Sequence, residues 1–409
     1  MMNTYRFVMR RLMSSAALIL GLTVCLASLP VPGHTQSRPN SVTQKAGKYG
    51  VDLRLPEQGL VAQEEADVEF HVSDLSQDDP VQGAPPIVKA KISARVTMPT
   101  MASMPAQSPK THTEGVPGDY GVVVYFPHGG DYQLDLTITP LNDKAFTVSY
   151  KVPVGDARAS NGKKPAPQPY TLEVHSDPPT PTAGRPTKLT IVVQSRETRQ
   201  PVTEFDTVHE RQIHFMVVSA DLQHFAHEHP VIGSGGKFTL TYTFPTGGEY
   251  HLFADVAPKG AGSQILMQPL QVFGQRTSNG GNGFRFKPSL TDTVDGVQIH
   301  LTTEPTKFPI GRSLNITFTV KDAATGAAIT DLEPYLGAMA HLMLIHEDGT
   351  TFVHSHPDET DPTNGHQGSL TFLARFPKPG FYRGWLQIQR AGVVETATFT
   401  WEVRSEKRS

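Results

Sequence analysis

One short pattern occurs three times in this chain and limits what it can fold into. It is a strand-like run, Phe-Pro, a glycine-containing turn, an aromatic residue and a second strand-like run. The three copies are Tyr120–Ile138 (YGVVVYFPHGGDYQLDLTI), Phe238–Val256 (FTLTYTFPTGGEYHLFADV) and Leu370–Ile388 (LTFLARFPKPGFYRGWLQI). Pro127, Pro245 and Pro377 each end a strand, because proline has no N–H for the ladder. The glycines permit the positive φ of a tight turn. Tyr132, Tyr250 and Tyr382 are then expected to plug the core that follows. Repetition at roughly 120-residue spacing means tandem domains rather than a solenoid, whose repeats are far shorter.

A second segment pair agrees: Thr182–Val193 (TAGRPTKLTIVV) matches Phe308–Val320 (FPIGRSLNITFTV). Runs such as Ala66–Val72, Lys188–Val193 and Leu314–Val320 are rich in β-branched and aromatic residues and bounded by turn formers, so they read as strands of antiparallel sandwiches. The 35 Gly and 34 Pro among 409 residues suit a turn-rich β protein. Asn161–Pro169 (NGKKPAPQP) reads as a semi-extended linker and Gly274–Gly283 (GQRTSNGGNG) as a flexible one. The expected fold is all-β: three tandem immunoglobulin-like antiparallel β-sandwich domains, at 48–155, 168–274 and 284–404, after an N-terminal signal segment at 1–36.

That segment has Arg6, Arg10 and Arg11 before the apolar run Ala16–Leu29, which Pro30 ends. A basic start and a short apolar core are the marks of a secretory signal peptide, and the run is too short for a comfortable membrane span. Cys25, the one cysteine, lies inside it, and Val24 before it does not suit a lipoprotein signal. A cleaved chain would carry no thiol for disulfides, metal binding or catalysis. The expected location is periplasmic or secreted, with membrane contact only through the N-terminal segment if it is retained. The 36 Lys+Arg are matched by 39 Asp+Glu, which argues against nucleic acid as a partner, because phosphate binding needs a basic surplus.

The 17 histidines are uneven: six fall within 209–251 and five within 341–366. His214 precedes His227 of HEHP (His227–Pro230) by the same separation as His341 precedes His354 of HSHP (His354–Pro357). Both first strands carry His-x-Met, His214-Phe215-Met216 and His341-Leu342-Met343. Side chains two apart on a strand share a face. Asp348-Gly349 is a hairpin signal, and the register it sets puts His341 opposite His356 and Met343 opposite His354. The same register puts His214 opposite His229 and Met216 opposite His227. Opposed side chains lie about 4.5–5.5 Å apart at Cβ. Each domain would thus gather three imidazoles and a thioether in one patch, and a one-residue slip would scatter them. Such a set suits zinc, copper or nickel, and the thioether tilts it toward copper. Asp255 is expected to add an oxygen ligand in the second domain, where the third has Gln387. Glu228 and Asp358 are candidates for orienting the ligating rings. The bland reading is of surface histidines and core methionines. His209, His224, His251, His346 and His366 lack a counterpart in the other copy and fall under it. The first domain offers Met98–Pro105 (MPTMASMP), His112 and His128. This is either a soft Cu(I) site or a proline-broken apolar loop closing one end of a sandwich.

Residues 94–138, with RVTMPTMASMP and GDYGVVVYFPHGGDYQLDL, resemble the YtkA-like family of exported bacterial β-sandwich domains. The second and third domains resemble a duplicated, largely uncharacterised bacterial domain. They carry its motifs in HFMVVSADLQHFAHEHP (His214–Pro230) and LEPYLGAMAHLMLIHEDGTTFVHSHP (Leu332–Pro357). The resemblance implies an exported, non-enzymatic sandwich module suspected in metal handling. The expected function is an exported metal-binding protein of the bacterial cell envelope that holds a copper or zinc ion for buffering, delivery or resistance. The alternative is a structural or adhesive array of immunoglobulin-like domains that binds an envelope protein partner. A metalloenzyme would need an open coordination position and a general base. Glu228, between His227 and His229, should point to the opposite face. No G-x-S-x-G, H-E-x-x-H or phosphate-cradling loop is present.

Overall fold

The computed structural model describes residues 41–155, 168–275, 287–304 and 313–404, apart from 57–58, 81–82, 102–103, 356, 358–362 and 377. The segment expected to be a signal, most of both expected linkers, His356, Asp358 and Pro377 lie outside the described residues. So does the side chain of His354. Among the described residues there are only strands and two 3-10 turns, and no helix is long and apolar enough to cross a membrane.

The first sandwich comprises β1 (Ser41–Ala46), β2 (Tyr49–Arg54), β3 (Leu60–Val61), β4 (Glu65–Asp74), β5 (Lys91–Thr97), β6 (Lys110–Thr113), β7 (Asp119–Tyr125), β8 (Gly130–Thr139) and β9 (Phe146–Gly155). Its sheets run β1-β2-β4-β7-β6 and β3-β9-β8-β5. The second comprises β10 (Tyr170–Asp177), β11 (Pro186–Ser195), β12 (Phe205–Asp206), β13 (Ile213–Ser219), β14 (Phe225–Glu228), β15 (Val231–Ile232), β16 (Lys237–Thr243), β17 (Gly248–Pro258) and β18 (Gln264–Val272). Its sheets are β10-β11-β16-β15 and β12-β17-β13-β14, with β18 also paired to β17. The third comprises β19 (Thr291–Val294), β20 (Val297–Glu304), β21 (Ser313–Asp322), β22 (His341–His346), β23 (Phe352–Ser355), β24 (Ser369–Arg375), β25 (Gly380–Arg390) and β26 (Val393–Val403). Its sheets are β19-β20-β21-β24 and β23-β22-β25-β26. The chain is therefore all-β, and each sandwich has its own apolar core.

The threefold pattern has one structural meaning. Tyr132, Tyr250 and Tyr382 are buried. Each hydroxyl donates to the carbonyl four residues upstream, of His128 (2.9 Å), Thr246 (3.0 Å) and Lys378 (2.9 Å). A buried phenol needs such a partner, and bonding back to the chain pins the corner between two strands. Each ring also meets the phenylalanine of its Phe-Pro edge-on, Phe126, Phe244 and Phe376, at centroid distances of 4.9, 4.9 and 4.8 Å. Gly130, Gly248 and Gly380 stand two residues before the tyrosines with φ of 149°, 139° and 129°, where a side chain would be strained.

Strand patterning separates two kinds of surface. β9 alternates buried with exposed or half-exposed residues, as a sheet with one wet face must. β13 (IHFMVVS) and β22 (HLMLIH) are buried at every position. Phe215 and Val217 point into the core of the second sandwich, and Leu342 and Leu344 into that of the third. Met216, Val218, Leu222 and Phe253 join Met343, Ile345, Phe352 and Trp385 in a fourth apolar cluster between the two sandwiches. Phe225 stacks on Trp385 (4.7 Å between centroids) and Phe253 on Phe352 (5.1 Å). At one end His251 Nδ1 donates to the Gly349 carbonyl at 2.6 Å. The two histidine-bearing sheets thus face each other across an apolar seam.

Two imidazoles, His346 buried and His224 half-buried, are expected to make the metal-free chain acid-sensitive. Burial holds His224 below the ordinary imidazole range, against the pull of Asp221. Burial likewise lowers His346, against its hydrogen bond to the Pro379 carbonyl. For a depressed folded-state pKa the unfolded chain takes the proton first. The stabilisation is therefore complete above the unfolded value of about 6.5 and is lost as pH falls through the folded one. Thermal melts of metal-free protein should show Tm falling from pH 7 to pH 5. His224→Gln should flatten that slope, and an unchanged slope would remove His224 as a source.

Candidate metal centre

The hairpin register is the one the spacing predicts. Met216 pairs with His227 and Phe215 with Glu228 across β13 and β14, and Met343 pairs with His354 across β22 and β23. On the other side of β13, His214 stands opposite Asp255 of β17, and His341 stands opposite Gln387 of β25.

In the second sandwich three imidazole nitrogens converge. His214 Nδ1 lies 3.1 Å from His227 Nε2 and 3.3 Å from His229 Nε2, and the last two are 3.2 Å apart. Tetrahedral coordination at metal–nitrogen distances of 2.0–2.1 Å requires donor separations of about 3.3 Å. The ring planes are mutually inclined by 32°, 89° and 58°, so the edges meet without stacking. His214 is fully buried, whereas His227 and His229 are half-exposed, which leaves one side approachable.

The hydrogen bonds at the far sides of two rings decide where their lone pairs point. His214 Nε2 lies 3.0 Å from the Val208 carbonyl, which can only accept, so this nitrogen carries the proton and Nδ1 is the donor atom. His227 Nδ1 lies 2.7 Å from Gln387 Oε1, while the Gln387 amide nitrogen donates to Thr396 Oγ1 (3.2 Å). Nδ1 of His227 is therefore protonated, and its Nε2 turns a lone pair toward His214. Two lone pairs at 3.1 Å repel unless a cation or a proton stands between them. His229 is the ring that adapts. Its Nε2–H can bridge both lone pairs, or its other tautomer can turn a third lone pair inward to a metal.

The remaining predicted residues are placed as follows. Asp255 is buried and accepts from Ser263 Oγ, and it does not belong to the group whose donor atoms lie within 4.8 Å of one another. Met216 and Met343 share the predicted faces but are fully buried in the cluster between the sandwiches. His341 Nε2 bonds the Tyr335 carbonyl (2.8 Å), repeating the His214–Val208 arrangement. Its ring lies across the seam, with its centroid 6.1 Å from that of His214 and 6.0 Å from that of His227. Among the described residues of the third-sandwich patch, His341 is thus the one whose ring approaches the second-sandwich group. Spacing passed over His209, which stands 5.6 Å from His341 and 6.2 Å from His214. It sits on the Val208–Arg211 turn that holds His214, and its only sequence sign is adjacency to that turn. Burial raises the carboxyl pKa of Glu228.

In the first sandwich Met98, Met101 and Met104 pack on the core, as a loop closing one end would. A second group, Asp67, His112 and Glu114, lies at the surface. There His112 Nε2 is 2.6 Å from Glu114 and 3.1 Å from Asp67, the geometry of an imidazole held by carboxylates.

Residues 168–268 and 292–405, more than half of the chain, match the family described as Domain of unknown function (DUF8832). The chain belongs to that family. The tri-imidazole group falls in the first matched segment of this DUF8832 protein, and His341 in the second. Residues 43–137 match the YtkA-like family, which fits an exported protein. No curated protein matches the chain. Among solved structures, the Escherichia coli adhesin FdeC is 15% identical, with 89% of this chain and 99% of that one covered and a TM-score of 0.19. The FN1–FN3 domains of chicken CNTN1 are 9% identical, with coverages of 86% and 97% and a TM-score of 0.17. The Yersinia pseudotuberculosis adhesin InvE is 14% identical, with coverages of 70% and 72% and a TM-score of 0.22. Likenesses this remote carry nothing about function.

Proposed function

We propose that this DUF8832 protein is an exported metal-binding protein of the cell envelope that holds a copper or zinc ion on His214, His227 and His229, for buffering, delivery or resistance. The observation that carries this reading is the triangle of nitrogens at 3.1–3.3 Å, with two rings aimed by acceptors on their far sides. Imidazole suits both metals. The thioether argument for copper weakens, because Met216 is packed among hydrocarbon. A binding role is favoured over catalysis. Glu228, the candidate base between His227 and His229, stands opposite Phe215 and so on the other face of β14 from His227.

Untagged protein recovered from the periplasm and analysed for metal should carry copper or zinc in a fixed ratio to the chain. The ratio should fall as pH is lowered through about 6.5, because protons compete for imidazole nitrogen. Protein that takes up neither ion at micromolar concentration would return the chain to the alternative of an array that docks a protein partner.

A further inference from the structure

We propose that Gln387 of the third sandwich is a positioning residue for the centre in the second, so that metal loading and docking of the two sandwiches strengthen each other. This deepens the metal-binding reading and rests on it. Val208, which orients His214, belongs to the same sandwich as the ring it holds. The acceptor for His227 does not: Gln387 lies on β25, at the register position opposite His341. It is buried, and its amide is held by Thr396 on β26, which turns Oε1 toward the seam. The 2.7 Å bond to His227 Nδ1 therefore exists only while the two sheets are packed face to face. Undocking would free the ring to rotate and to exchange tautomers. Its Nε2 would lose the aim that puts it 3.1 Å from His214 Nδ1.

The apolar cluster gives this coupling a rigid lever. Met343 pairs with Trp385 two residues before Gln387, and Trp385 stacks on Phe225 two residues before His227. The contact that docks the sheets and the contact that aims the ligand thus lie on the same two strands. Linkage then requires reciprocity: whatever factor docking adds to metal affinity, metal adds to docking.

The test uses the full chain titrated with Zn(II) and with Cu(II). Gln387→Met keeps the length and packing of the side chain but removes the acceptor. It should weaken binding about 10- to 100-fold, the usual effect of losing a hydrogen-bond partner to a ligand, with stoichiometry unchanged. Gln387→Glu restores an acceptor for Nδ1–H and should recover most of the affinity. A purely packing role predicts the reverse order, with Met tolerated and the buried carboxylate harmful. Metal should also slow amide exchange along Gly380–Arg390 in the wild type and not in the Met variant. Wild-type affinity in Gln387→Met, or exchange in that strand indifferent to metal, would overturn the inference while leaving the centre standing. Failure of the wild type to take up either ion would overturn both.

Discussion

Replacing His227 and His229 together by alanine should abolish metal binding at the second-sandwich centre and leave the fold in place. Structural zinc sites yield about 10–16 kcal/mol from their ligand set, or roughly 3 kcal/mol per ligand. Losing two of three imidazoles should therefore cost affinity by three or more orders of magnitude. The cost to the metal-free fold is small by comparison. Both side chains are only half-buried. What they leave behind is Gln387 Oε1 without its His227 donor and His214 Nδ1 without these two rings, a loss on the order of 1–3 kcal/mol for buried polar groups. Isothermal titration and thermal melts on the same preparation separate the two effects. A double variant that keeps its full metal content would show that the triangle is an ordinary histidine cluster.

The second large effect concerns the seam. Met216→Asp should undock the second and third sandwiches. The thioether is fully buried among Val218, Phe253, Met343 and Trp385, and an unpaired carboxylate there costs about 3–5 kcal/mol. Met216→Leu preserves volume and should cost less than about 1.5 kcal/mol. Trp385 reports the difference: it is buried in the seam, and the only other tryptophan, Trp401, lies in the core of the third sandwich. Aspartate should shift the Trp385 emission to the red before global unfolding. The leucine variant also decides the role of the sulfur. If Met216 only packs, Met216→Leu should retain wild-type metal affinity. A tenfold or greater loss, with the seam intact, would put the thioether in the coordination sphere.

Much of the arrangement could be read from the chain alone. The tandem β units follow from the Phe-Pro, glycine and tyrosine pattern, because a buried phenol that bonds backward and a glycine at positive φ leave few other corners. The hairpin register follows from the turn and from strand period, so Met216 falls opposite His227 and Met343 opposite His354. Even the second covering of β13 and β22 had a sign. Both are apolar with little alternation, which marks strands buried on two faces.

What covers those faces was not legible. Local patterning is set by the backbone period within one element, so it specifies which side chains share a face. The partner of that face depends on how separate sandwiches pack. That is a matter of long-range shape fitting between surfaces far apart in sequence. Only the tertiary structure turned Met216 and Met343 from neighbours of imidazoles into the seam between two sheets, brought His341 to within 6.1 Å of His214, and laid Gln387 against a histidine 160 positions away.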